Sequence, residues 1–142
     1  MNETLSHWKP GPLSIGWASR DVSTDQPVAI RGQFYLRISE GVLDPVSVTA
    51  LALDNGEDAA LFLSCDNVGI QAFLMTMIRD RVRRAEPSLP AGKIIVHATH
   101  AHSGGDLYEG PDAFPCALPR MPGEEYQAFF ADRAAEALVE AW

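Results

Sequence analysis

Two histidines one residue apart, in Thr99-His100-Ala101-His102-Ser103-Gly104-Gly105, are the residues best placed to do chemistry. Imidazole is a common ligand for zinc and related ions and carries protons near neutral pH. Side chains at i and i+2 share a face when the backbone is extended. Both rings can then converge on one metal, or one can hold metal while the other meets substrate. Ser103, Gly104 and Gly105 leave room for backbone and substrate to approach closely. The blander alternative is a pair of loop histidines bonded to backbone. His97 reads as a core or sheet histidine, and His7 as a surface or arm residue.

The elements around the pair give it a location. Apolar Ile94-Ile95-Val96 predicts a strand over 93–98, with the histidines at its exit. Upstream, 46–54 alternates in period two with both faces largely apolar toward its end, and Asn55-Gly56 signals a two-residue hairpin turn into a strand over 59–65. Ile70, Phe73, Leu74, Met77, Ile78 and Val82 recur at helical spacing, with Pro87 and Pro90 beyond them as stops. Strand, helix, strand in this order predicts a right-handed crossover between parallel strands. The carboxyl ends of both strands then lie side by side, where α/β sheets bind ligands. That places Asp66 near the histidines, either orienting an imidazole, binding metal, or serving as a turn or helix N-cap. A short strand over 13–18, extended or looped chain over 32–38 and a helix over 123–142 complete a mixed-sheet α/β domain spanning 1–142. The stretch 103–122, rich in glycine and proline, is long for a purely structural connection.

Composition narrows the partners. With 142 residues the chain can build one real core, and a net charge of −8 argues against nucleic acid or an anionic membrane surface. Arg81, Arg83 and Arg84 read as a solvated helix face. Cys65 reads as a buried thiol and Cys116 lies in a proline-rich loop, with their pairing left open. No run is long enough to span a bilayer and no signal peptide is seen, so the chain as written reads as cytoplasmic; a removed leader would make it secreted or periplasmic. The last helix ends without a capping glycine or proline. This points to the N-terminal part of a longer protein, completed by a further C-terminal segment or a second copy.

Two families share the local look of the histidine block. The metallo-β-lactamase-like hydrolases carry H-x-H-x-D-H after a strand, but Ser103 and Gly104 do not continue that pattern. The second resemblance covers roughly residues 13–110. Gly16-Trp17-Ala18-Ser19-Arg20-Asp21-Val22-Ser23, Pro27-Val28-Ala29-Ile30-Arg31-Gly32, Gly41-Val42-Leu43-Asp44-Pro45, Leu61-Phe62-Leu63-Ser64-Cys65-Asp66 and Thr99-His100-Ala101-His102-Ser103-Gly104 follow in the order of blocks found in neutral ceramidases and their bacterial relatives. The chain resembles the N-terminal part of that family, although Ala101 and Gly105 stand where the family has threonine and proline. The resemblance implies a zinc-dependent amidohydrolase acting on N-acyl sphingosine or another small-molecule or lipid amide. It makes His100 a zinc ligand and His102 a group beside the reacting carbonyl, while the supporting role of Asp66 rests on strand topology. It also implies that the remaining ligands and the catalytic serine come from beyond residue 142, so these residues alone are expected to hold zinc weakly and turn nothing over. The rival from another class is a non-catalytic α/β module with structural histidines.

Overall fold

Strands β1 (Ser14–Asp21), β2 (Ala29–Ile30), β3 (Arg37–Ile38), β4 (Ser47–Asp54) and β5 (Ala59–Cys65) precede helix α1 (Ala72–Ala85), strand β6 (Ile94–Ala98) and helix α2 (Gly123–Ala141). The computed structural model describes residues 11–110 and 117–142. His7, Phe114, Cys116 and most of the expected N-terminal arm lie outside the described residues. The main sheet runs β1-β4-β5-β6, and β2 and β3 pair as a separate ribbon. Neighbours in the main sheet are antiparallel except β5 and β6, which are parallel and joined through α1 as predicted.

Period-two patterning sends Ala18, Val48, Ala50, Ala52, Leu61, Leu63, Cys65 and Ile94 into the core. There they meet Leu74, Ile78 and Val82 of α1 and Phe130, Ala134 and Leu138 of α2. Each fully buried leucine or isoleucine in this layer stabilises the fold by about 1.5–3 kcal/mol. Alanines on both β4 and α2 let the long helix lie close to the sheet. Arg81 ties the two helices together by pairing with Asp132, and Arg20 on β1 pairs with Glu136 and Glu140 of α2.

Several expectations are corrected. β1 continues to Asp21, beyond the predicted 13–18, because it pairs with β4 along its whole length and Ser19 Oγ meets Thr49 Oγ1 at 2.8 Å. The β4–β5 hairpin forms, but its turn is wider than the two-residue type I′ turn. Asp54 pairs with Ala59, and Asn55 Oδ1 accepts from the Glu57 and Asp58 N–H groups at 2.9 and 2.7 Å. That side-chain bonding replaces the backbone geometry that Asn-Gly usually provides, and Gly56 takes the positive φ. Of the two readings of His97, core or sheet, the structure gives the sheet: it lies in β6 and is exposed, on the strand face opposite buried Ile94. Asp66 does not cap α1, whose N-cap is Gln71.

The buried thiol of Cys65 is pushed up to about 12 by burial, then by the Asp66 charge, from an ordinary 9.0. Burial likewise pushes the Tyr126 phenol to about 12 from 10.0. In the unfolded chain both ionise first. Between about pH 9 and 12 the unfolded state therefore binds fewer protons, and stability falls as pH rises. Denaturant titrations are expected to show stability constant below about pH 8 and about 4 kcal/mol lower by pH 11. A flat profile over that range contradicts the burial of these two groups.

Candidate functional site

The parallel pairing of β5 with β6 sets Cys65 beside Ala98, so both strands deliver their next residues to one edge of the sheet. The Cys65 carbonyl accepts from the N–H groups of both Asn67 and Thr99, at 2.8 and 2.9 Å. Asp66 then spans three strands. Its Oδ2 accepts from Ser47 N–H and Oγ–H at 3.0 Å each, and its Oδ1 accepts from Thr99 Oγ–H at 3.1 Å. Topology thus places Asp66 beside the histidine segment as expected. Among the described residues, however, neither imidazole bonds its carboxylate; Asp66 reaches His100 through the preceding threonine. Removing these bonds in Asp66→Ala is expected to cost about 1–3 kcal/mol in denaturant unfolding. A loss of only a few tenths would show the strap to be ornamental.

After Thr99 the chain leaves the strand sharply. His100 has φ 66°, the one non-glycine residue with positive φ among those described. This left-handed conformation is tolerated by few side chains and costs about 1 kcal/mol. The two rings are therefore brought together by a turn and not by strand alternation. Their centroids lie 4.9 Å apart at an interplanar angle of 72°. His100 Nδ1 lies 2.9 Å from the Val68 carbonyl oxygen. A carbonyl only accepts, so Nδ1 carries the proton and the Nε2 lone pair is left for a ligand. Metal-binding histidines characteristically have this arrangement.

Glycines shape the rest of the loop. A Cβ at Gly105 would lie 2.3 Å from Cε1 of Tyr126, whose ring is buried and whose hydroxyl donates to the Val22 carbonyl at 3.0 Å. The Gly105 carbonyl accepts from Nδ2 of fully buried Asn67 at 2.8 Å. Residues 104–106 are also stitched to β2: Ile30 bridges Gly105, and Asp106 N–H donates to the Ala29 carbonyl at 2.8 Å. Gly32, just past β2, has φ 103°, and a Cβ there would sit 2.5 Å from His102 Nδ1. Gly32→Ala is thus strained twice. It is expected to displace the His102 ring and to destabilise the chain by about 1–3 kcal/mol, seen as shifted His102 resonances and an earlier unfolding midpoint.

Both histidines line a cavity of about 380 Å³ with Arg31, Phe34, Tyr35, Val68 and Tyr108 among its walls. This volume lies within the range of small-molecule sites. Arg31 holds the wall together, paired with Asp106 at 3.1 Å and stacked 4.1 Å from the centre of the Tyr108 ring. A second cavity of about 560 Å³, on the other side of Arg31, Asp106 and Tyr108, contains no histidine. Among the described residues no group of three or more His, Cys, Asp or Glu side chains is gathered closely enough to hold a metal unaided. No described helix is long and apolar enough to cross a membrane.

Sequence reasoning finds His100, His102 and Asp66 but misses Val68, Asn67, Arg31 and Tyr126 as their supports. Val68 and Tyr126 act through a backbone carbonyl and a ring face, which leave no motif. Gly32 and Gly105 are the available signals, because a glycine beside a functional residue often marks a close approach.

No protein-family model and no curated protein matches the sequence. Solved structures do resemble the fold. The crystal structure of neutral ceramidase from Pseudomonas aeruginosa matches with a TM-score of 0.75 at 15% identity, over 94% of this chain. A ceramidase complexed with C2 matches with a TM-score of 0.72 at 14% identity, over 93% of this chain. The chain spans 22% and 21% of the lengths of those two structures. Over nearly its whole described length, this chain has a ceramidase-like α/β fold.

Proposed function

We propose that these residues form part of the site of a zinc-dependent amidohydrolase of the neutral ceramidase type, acting on an N-acyl sphingosine or a related lipid amide. The observation that carries this reading is the His100 Nδ1 bond to the Val68 carbonyl, which leaves the Nε2 lone pair free on a ring that lines the same cavity as His102. The ceramidase-like fold supports it. Bound zinc supplies Lewis acidity and a water nucleophile at neutral pH. His100 is the ligand this chain contributes. His102, edge-on to it, contacts the substrate near the scissile carbonyl. Asp66 is a positioning residue that fixes Thr99 and so the start of the turn. Ile30, Leu36, Phe34 and Tyr35 offer apolar wall to an acyl or alkyl chain.

Three protein ligands are usual at a catalytic zinc, so the remaining ones come from outside the described residues. The purified chain is expected to take up zinc with a Kd of about 10 µM or weaker. It is expected to release no fatty acid from a panel of N-acyl sphingosines, other N-acyl amides and acyl esters, with zinc or with chelator. Zinc that stays bound at one equivalent through desalting, and is unaffected by His100→Ala, would count against this assignment.

A further inference from the structure

The two imidazoles of the site are held in different ways. His100 is fixed through its own ring, by the Val68 carbonyl at Nδ1, and through its neighbour Thr99, which donates to Asp66. His102 makes no hydrogen bond among the described residues. Its ring rests on His100 and on the backbone of Gly32, where an added Cβ would lie 2.5, 2.6 and 3.0 Å from Nδ1, Cγ and Cε1. A ring held by packing alone keeps its orientation only while its neighbours stay put. What fixes Gly32 therefore fixes His102.

Gly32 lies in the loop that joins β2 to β3. Residues 33–36, which follow it, make no hydrogen bond among the described residues. The tie beside it is Arg31. The Arg31 N–H reaches the Gly104 carbonyl at 3.4 Å, a weak bond. The side chain holds more firmly: Nη1 donates to Asp106 Oδ2 at 3.1 Å, and the guanidinium stacks 4.1 Å from the centre of the Tyr108 ring. Both partners are braced in turn. Asp106 Oδ1 accepts from the Tyr108 N–H at 3.0 Å, and the Tyr108 carbonyl accepts from Gln127 Nε2 of α2 at 2.9 Å. A planar guanidinium that is paired and stacked at once has little freedom.

We propose that Arg31 is a positioning residue for His102: clamped between Asp106 and Tyr108, it holds the Gly32 backbone on which the His102 ring is seated. The two histidines are then braced by separate parts of the fold, His100 by the ends of β5 and β6 and His102 by the β2–β3 ribbon. The catalytic meaning rests on the hydrolase reading, in which His100 holds zinc and His102 meets substrate; the positioning itself needs no zinc. A change at Arg31 moves the substrate-side group and leaves the metal ligand in place.

Nuclear Overhauser contacts in the chain test this. In the wild type Gly32 Hα and His102 Hε1 should give a strong cross-peak. Arg31→Met keeps the length of the stem and removes the guanidinium. It should lose that cross-peak, keep those of the Ala29–Ile38 pairing, and leave His100 as the Nδ1–H tautomer with a zinc affinity within about threefold of wild type. Asp106→Asn, which removes the charge and keeps an acceptor for the Tyr108 N–H, should do the same, and it decides the matter if the methionine variant fails to fold. A cross-peak that survives overturns the proposal. So does its loss together with the Ala29–Ile38 pairing, because Arg31 would then brace the whole ribbon. A loss of zinc affinity of about tenfold or more also overturns it, since His100 would have moved as well. A wild type that takes up no zinc would sink the hydrolase reading alone and leave the cross-peaks to decide the positioning.

Discussion

Replacing His100 with alanine is expected to weaken zinc binding by about 100-fold or more, equivalent to about 2.7 kcal/mol. The ligand is lost outright, and the described residues gather no group of three or more His, Cys, Asp or Glu side chains that could hold the ion without it. A comparison with His100→Gly separates the ligand from the backbone it sits on. At φ 66° alanine is strained and glycine is not. The glycine variant should therefore lose zinc equally while being about 1 kcal/mol more stable than the alanine variant. Isothermal titration with zinc and denaturant unfolding read the two effects separately. Equal stabilities would show that the left-handed turn is not held at His100. Zinc affinity unchanged in both variants would remove His100 from the site.

Gly105→Ala is expected to cost about 3 kcal/mol or more, the largest stability loss of any single methyl group added near the site. Its Cβ would fall within 2.9 Å of three atoms of the Tyr126 ring. That ring is only 2% exposed and is anchored by its hydroxyl to Val22, so it has nowhere to move. Either α2 must shift or the 104–106 segment must pull away from β2 and Asn67. In the second case His102 moves too, although it is three residues distant in sequence. Tyr126→Ala in the same background should relieve the collision, so the two changes should be strongly non-additive. A melting temperature within a degree or two of wild type would show that the glycine is not in the close contact described.

The parts of this fold written in side-chain periodicity are legible in the amino-acid sequence. β4, β5, α1 and β6 fall within a few residues of their predicted bounds, because each buries one face and period two or 3.6 records which. The β-α-β order then places Asp66 beside Thr99 without any motif. What periodicity does not record stays hidden. The Asn55-Gly56 turn depends on where Asn55 Oδ1 finds its donors, which is decided by the partner strand. The role of Asp66 depends on Ser47, nineteen residues away, and makes it a strap between strands in place of an N-cap. The supports of His100 and His102 are a carbonyl at Val68 and the backbone at Gly32, and neither residue type advertises that use.

The most direct measurement is long-range ¹H–¹⁵N correlation of the imidazole rings, at a pH above the ordinary imidazole range, with and without zinc. His100 is expected to be the Nδ1–H tautomer before zinc is added. Added zinc is expected to shift His100 Nε2 while Nδ1 remains protonated and bonded to Val68. An Nε2–H tautomer at His100, or a His100 spectrum unmoved by millimolar zinc, would contradict the claim that this imidazole is a prepared metal ligand.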